Sequence, residues 1–297
     1  MKIFITFADS RLSRSLKRIE AQARQMEFFD EIICLDERAL PESLLKQYPK
    51  LFVSGVRGFG YWCWKSYIIL KQLEKMPEGS QLYYLDAGCH LNKKGLKRMY
   101  EYSEMLKTSP TGIIATQIDY KEKAYTKADV FTRLGVMERP DITDSNQFQA
   151  TIIFLRKCET SVKFLHEWIS LWQSDIHLVD DSPSRTPNAA EFIDHRHDQS
   201  CFSVLGKLYG ITSISAEEVE PPVGEPRNVE NWTKMKHQPI LAMRDRPLSG
   251  KLFRKILKYR LYASLHLGSF SQKYQDKLTK LYQKTPCLMD PLPYLQD

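Results

Sequence analysis

The chain has 297 residues, 42% hydrophobic and 27% charged, a balance that fits a folded protein with a sizeable core. Its formal charge of +7 is uneven: positions 244–284 hold eleven of the 43 Lys and Arg and two of the 36 Asp and Glu, which leaves a near-neutral body and argues against a nucleic-acid coat. No apolar run approaches the roughly 18–20 residues of a membrane span. The six cysteines, at 34, 63, 89, 158, 201 and 287, contain no C-x-x-C pair, which argues against a zinc site and fits reduced thiols in a cytoplasmic protein.

The apolar stretch from Lys2 to Phe7 is too short for a signal-peptide core and reads as a first strand. After a polar turn at Asp9 and Ser10, a helix is predicted over about 11–26, with Leu12, Leu16, Ile19 and Ala23 at helical spacing. A strand over 29–35, a short helix over 41–48 and a helix over 64–73 follow, then a buried strand over 82–85 that breaks at Asp86-Ala87-Gly88. Asn92 caps a helix to about Leu106, and 112–118 is a strand. Strand 150–155 feeds an amphipathic helix with Val162, Leu165, Trp168, Ile169 and Trp172 on one stripe. The polar, proline-interrupted loop over 180–188 is expected to be mobile. A helix over 198–209 and a strand over 211–214 complete the pattern. This alternation predicts an α/β fold, a doubly wound and mainly parallel Rossmann-like sheet with helices on both faces. Ligands of such sheets bind outside the carboxyl ends of the strands. The change of charge divides the chain into a body over 1–243 and a basic helical extension over 244–297.

Two segments carry chemistry. The first is Arg57-Gly58-Phe59-Gly60-Tyr61-Trp62-Cys63-Trp64-Lys65 with the later Asp86-Ala87-Gly88. A carboxylate after an apolar strand is costly without water or a partner, and at a strand end it suits a divalent cation bridging phosphates. Gly88 permits close approach to the backbone. Asp and Gly also form plain turns, so the tripeptide alone leaves both readings open. The second segment is His195-Arg196-His197-Asp198-Gln199.

The strand ending in Asp86-Ala87-Gly88 resembles the DxD-type motif of GT-A-fold glycosyltransferases. The aromatic 57–65 stretch is similar to that of bacterial glycosyltransferases of capsule and lipopolysaccharide loci. The likeness runs over roughly 1–205 and includes Arg18, Gln22 and Ala23, Phe29-Asp30, Phe148-Gln149-Ala150-Thr151 and the 195–200 cluster. It implies a GT-A-like catalytic body that seats a nucleotide-sugar donor, with Asp86 at a diphosphate held by manganese or magnesium, and a glycan or lipid-linked glycan as acceptor. Gly88 stands where the motif has its second carboxylate, so either another residue completes the metal site or Arg57 and Lys65 neutralise the diphosphate. Asp198 is implied as the general base of an inverting reaction; it is equally a helix N-cap. His197 orients Asp198 or touches phosphate. His237 is the late metal ligand by position, against the bland reading of a loop histidine. Asp9 and Ser10 meet the nucleoside, or Asp9 caps the following helix. Gln149 points at acceptor hydroxyls.

In the basic extension, Lys251 to Leu261 reads as an amphipathic helix with Leu252, Phe253, Ile256 and Leu257 opposite Lys251, Arg254, Lys255 and Lys258. It would lie on an anionic membrane at the inner face, or pack its apolar side on the body. Two other classes compete. A metal phosphohydrolase would use His195-x-His197-Asp198, but such sites sit on all-helical folds. A non-enzymatic membrane or nucleic-acid adaptor would use only the basic extension.

Overall fold

The computed structural model describes residues 1–243, 250–265 and 268–284, without the side chains of 250–253 and 282–284. Eight strands form among these residues: β1 (Lys2–Phe7), β2 (Glu31–Leu35), β3 (Gln81–Leu85), β4 (His90–Leu91), β5 (Ile113–Lys121), β6 (Asn146–Arg156), β7 (Thr212–Ser215) and β8 (Ile240–Leu241). Six make one sheet in the order β2-β1-β3-β6-β5-β7, and β4 pairs with β8 in a small second sheet. β1 is parallel to β2 and β3, and β5 to β7, whereas β6 is antiparallel to both β3 and β5. Five strands therefore point one way and β6 is reversed. The sheet is mainly parallel with helices on both faces, as the alternation predicts.

The two faces follow from the period-two geometry of a strand. Ile3, Ile5 and Phe7 of β1 and Leu82 and Tyr84 of β3 enter one core; Phe4, Tyr83 and Leu85 enter the other. The helices Trp64–Lys75, Glu159–Ser174 and Asp198–Tyr209 close the first core, and Ser13–Met26 and Leu96–Thr108 the second. Trp168 and Trp172 are buried on the stripe expected of them, and each indole N–H finds an acceptor, Asp198 O at 3.2 Å and Ser66 Oγ at 3.0 Å.

Between β5 and β6, short helices over Glu122–Tyr125, Ala128–Arg133 and Pro140–Thr143 fill a stretch with no readable period. Asp129, on the second of these, anchors the loop over 180–188. Its carboxylate accepts from Ser184 Oγ (3.0 Å), Arg185 N (2.8 Å), Thr186 N (2.7 Å) and His177 Nε2 (2.7 Å). Asn188 adds a bond from Ala128 N at 2.8 Å. The loop expected to be mobile is thus tied down by four of these hydrogen bonds, from Ser184, Arg185, Thr186 and Asn188, to partners that the sequence does not place beside it.

The helices Gly250–Ala263 and Ser269–Lys284 pack together through Tyr259, Tyr262, Phe270 and Tyr274. The boundary at 244 lies outside the described residues, as do the side chains of Lys251, Leu252 and Phe253. Ile256 is buried while Leu257 is 58% exposed, so the expected single apolar side is split.

Candidate functional site

The carboxyl ends of β1 and β3 and the start of the helix Asp198–Tyr209 open into a cleft of about 450 Å3. Of the residues singled out in the sequence, Asp9, Arg57, Lys65, Asp86, Gly88, His197 and Asp198 all line it. The turn after Asp86 is held from behind by the helix Ser13–Met26. Arg18 donates to Ala87 O (2.9 Å) and Cys89 O (2.8 Å), and Gln22 Oε1 accepts from Leu91 N (3.1 Å). Asp86 N donates to Thr151 O at 2.9 Å. The Arg18-x-x-x-Gln22 spacing therefore serves the Asp86 turn, since residues four apart share a helix face.

One wall is a left-handed turn. Gly58, Phe59, Gly60, Tyr61 and Trp62 all have positive φ, between 52° and 96°. That conformation costs about 1–2 kcal/mol for each non-glycine residue, so tertiary contacts must hold Phe59, Tyr61 and Trp62 in place. Trp64 Nε1 donates to Gly58 O at 3.0 Å, and Tyr61 and Trp62 pack on the His197 ring at 5.3 and 5.6 Å between centroids. The glycines are required by space as well as by φ: a Cβ on Gly58 would fall 2.3 Å from the Trp62 ring, and one on Gly60 2.7 Å from the Phe52 ring. Phe7 and Trp64 stack within the core at 4.0 Å, whereas Phe59 and Trp62 are only part-buried and present ring surface to the cleft.

Lys65 lies at the floor, 2% exposed. Its Nζ donates to Ala150 O at 3.0 Å and sits 3.3 Å from Asp86 Oδ1 and 3.0 Å from Asp198 Oδ2. It occupies the first turn of the helix Trp64–Lys75, where the helix dipole disfavours a cation. Burial also works against the ammonium, yet the two carboxylates outweigh it and hold Lys65 charged, above its ordinary pKa. Asp198, in the first turn of its own helix, is pushed up to about 6 by burial, with Lys65 pulling the other way. Asp86 is less enclosed; its Oδ1 accepts from the Tyr84 hydroxyl at 2.5 Å.

The 195–198 cluster divides into a structural and an open part. His195 is saturated: Nδ1 accepts from Lys127 N (3.2 Å) and Nε2 donates to Leu178 O (2.9 Å), and burial pushes its pKa down to about 3. No ring nitrogen of His195 is left for a metal, which removes the phosphohydrolase constellation. His197 is held at φ 54°, an unusual place for a non-glycine residue. Its Nδ1 donates to Val179 O at 2.7 Å, so the neutral ring carries its lone pair at Nε2. Burial favours that neutral form. His197 Nε2, Arg196 Nε and Asp198 Oδ2 are buried atoms without a hydrogen-bond partner among the described residues, although Asp198 Oδ2 stays within ion-pair distance of Lys65.

The other expected residues are placed differently. Asp9 caps the turn Ser10–Leu12, and the Arg11 guanidinium donates to both of its oxygens, Nε to Oδ1 at 3.2 Å and Nη2 to Oδ2 at 2.5 Å. Ser10 is exposed beside it, and its N–H donates to Glu37 Oε1 at 3.3 Å. Arg57, half-exposed, pairs with Asp181 at 3.0 Å. Gln149 is buried, with Oε1 accepting from Thr116 (2.8 Å) and Nε2 donating to Glu220 (2.6 Å), and does not line the cleft. His237 is exposed in the loop before β8 and does not line the cleft. Arg11 and Arg196 line it without having been given a role from sequence; the only signal was an arginine between two histidines.

A divalent cation fits these residues poorly. Among the described residues no three His, Cys, Asp or Glu side chains are grouped to hold one. The place between Asp86 and Asp198 is taken by the Lys65 ammonium.

No protein-family model matches the chain, and no curated protein matches it. Among solved structures, the chain is similar to galactosyltransferase LgtC in complex with donor and acceptor sugar analogues, at 13% identity over 74% of this chain and 75% of that one, TM-score 0.40. It is similar to mouse xyloside xylosyltransferase 1 in its apo form, at 11% identity over 74% and 87%, TM-score 0.42. It is similar to the glycosyltransferase GlyE of Streptococcus pneumoniae TIGR4, at 12% identity over 99% of this chain and 62% of that one, TM-score 0.40. A likeness at these scores carries no activity, substrate or metal over to this chain.

Proposed function

We propose that the chain is a glycosyltransferase that moves a sugar from a nucleotide-sugar donor to a glycan acceptor, in a GT-A-like body. The observation that carries this reading is the pair of unmatched polar atoms in Arg196 and His197, next to the Lys65-paired carboxylate of Asp198, all in residues that line one aromatic-walled cleft. A buried polar group without a partner costs about 1–3 kcal/mol. A ligand that supplies the partners removes that cost. A donor and an acceptor side by side, with a carboxylate next to them, suit a polyhydroxylated ring, and Phe59 and Trp62 suit a sugar or base face. In an inverting transfer Asp198 takes the acceptor's hydroxyl proton. The acceptor we favour is a cell-surface glycan of the capsule or lipopolysaccharide kind, on the resemblance of the 57–65 and 148–151 stretches. The test is a thermal-shift screen of UDP-, GDP- and dTDP-sugars. A bound donor at about 100 times its Kd adds about 2.7 kcal/mol, and the shift should disappear in Arg196→Ala. No shift with any nucleotide sugar overturns the reading.

The place of work we propose is an anionic membrane surface, reached through the helix Gly250–Ala263. Among the described residues no helix is long and apolar enough to cross a membrane. Leu257 and Leu261, one helical turn apart, are each 58% exposed, and Arg254 and Lys258 flank them. Each basic group near an anionic surface adds about 1 kcal/mol, and the leucines add apolar contact. Co-sedimentation with phosphatidylglycerol vesicles, but not phosphatidylcholine vesicles, is expected. It should be lost in the double variant Leu257→Glu, Leu261→Glu with the thermal transition unchanged. Equal pelleting by wild type and variant would refute this address.

A further inference from the structure

A carboxylate set beside a diphosphate needs a cation, and this cleft carries one of its own. The Lys65 ammonium lies between Asp86 and Asp198, 3.3 and 3.0 Å from their oxygens, and its position is fixed by Ala150 O at 3.0 Å. It is enclosed, with the Tyr84 ring 5.4 Å from its nitrogen. A divalent cation bound at Asp86 would stand next to this ammonium with no second carboxylate from position 88, which is glycine. Moving Lys65 aside would strand a buried charge, which is strongly unfavourable.

We infer that Lys65 stands in the place of a resident divalent cation, and that donor binding in this cleft is independent of metal. The inference rests on the glycosyltransferase reading. Lys65 neutralises the two carboxylates at the floor, so it is not itself free for phosphate. The diphosphate is met by Arg57 and Arg196 at the rim. Arg57 is held only by a half-exposed pair with Asp181, of the kind worth little in water, and it exchanges that partner for the stronger bidentate contact with phosphate. Asp86, whose Oδ1 faces Lys65 and the Tyr84 hydroxyl, then turns its outer oxygen to hydroxyl donors on the sugar, because without a metal a phosphate oxygen there would be repelled.

The test uses the full chain, stripped with EDTA and dialysed. Manganese alone is titrated by electron paramagnetic resonance, and UDP, GDP and dTDP are titrated by calorimetry with and without manganese. The expected results are no stoichiometric manganese binding at millimolar metal and a diphosphate Kd that manganese changes by less than about twofold. Arg57→Ala, an exposed position that leaves the fold intact, should weaken the diphosphate about tenfold, equally with and without metal. One manganese per chain that is lost in Asp86→Asn overturns the inference, and so does a diphosphate affinity raised about tenfold or more by manganese. If none of the diphosphates binds under either condition, the glycosyltransferase reading fails, and the manganese titration alone still decides whether Lys65 holds the cation's place.

Discussion

An Asp198→Asn protein is expected to fold as the wild type does and to lose about 10²–10⁴-fold in kcat/KM, the usual worth of a positioned general base. The change is nearly isosteric, and the Trp168 indole bond goes to the Asp198 backbone carbonyl, which the change leaves alone. The pH profile tells a base from a merely structural carboxylate. Burial pushes the Asp198 carboxyl up to about 6, against the pull of Lys65. A base must be ionised, so wild-type kcat/KM should fall about tenfold per pH unit below about pH 6 and level off above it. The residual activity of Asp198→Asn should lack that limb, while Asp86→Asn should keep it. Stability runs the other way for this residue. A carboxyl with a raised pKa favours the fold in its protonated form, so its contribution is complete below about pH 4 and is lost as the pH rises through about 6. An asparagine variant within tenfold of wild-type activity, or one that keeps the wild-type acid limb, would exclude Asp198 as the base.

How much of this site was legible in the sequence depended on the range of the information. The strand Lys2–Phe7 and the helix Asp198–Tyr209 appear where the apolar patterning puts them, because period is a local signal, but Asp198 is the first residue of its helix and not its cap: His197 takes the cap position, with no side-chain cap bond. Asp86, Lys65 and Asp198 each stood out as chemistry, but their meeting at one ammonium is long-range, and no spacing rule brings a helix N-terminus, a strand end and a second helix together. The reversed direction of β6 was hidden because its centre is buried on both faces and reads as a continuous apolar run. The left-handed turn over 58–62 was hidden for a different reason: local propensity opposes it at Phe59, Tyr61 and Trp62, and long-range packing on Phe52, Phe7 and His197, with the Trp64 bond to Gly58 O, sustains it. The three helices over 122–143 are each too short to show a period.

The loop over 180–188 shows how a residue that touches no ligand governs the cleft, and it sets the second large effect. Behind the site, Val179 O fixes the His197 tautomer, Leu178 O holds His195, and Asp181 holds Arg57. This segment is anchored by Lys127, whose Nζ donates to His177 O at 2.8 Å and Asp180 O at 2.9 Å, and beyond residue 183 by Asp129. Burial works against the Asp129 carboxylate, but bonds from Arg185 N, Thr186 N and His177 outweigh it and hold its pKa well below the usual carboxylate range. Asp129→Ala strands two backbone N–H groups and an imidazole, and is expected to cost about 3 kcal/mol, or roughly 6–12 °C in Tm for a chain of this size. The sign with pH follows from the lowered pKa. The ionised form favours the fold, so the contribution is present above about pH 4 and fades as the pH falls below it. Thermal melts of wild type and variant should therefore differ most near neutral pH and converge on acidification towards about pH 2. The variant should also be cut by trypsin at Arg185, whose side chain is exposed and whose backbone N–H is released by the change. A constant gap in Tm across that pH range would mean that the Asp129 charge is not what holds the loop, and that the geometry of His197 and Arg57 has another support.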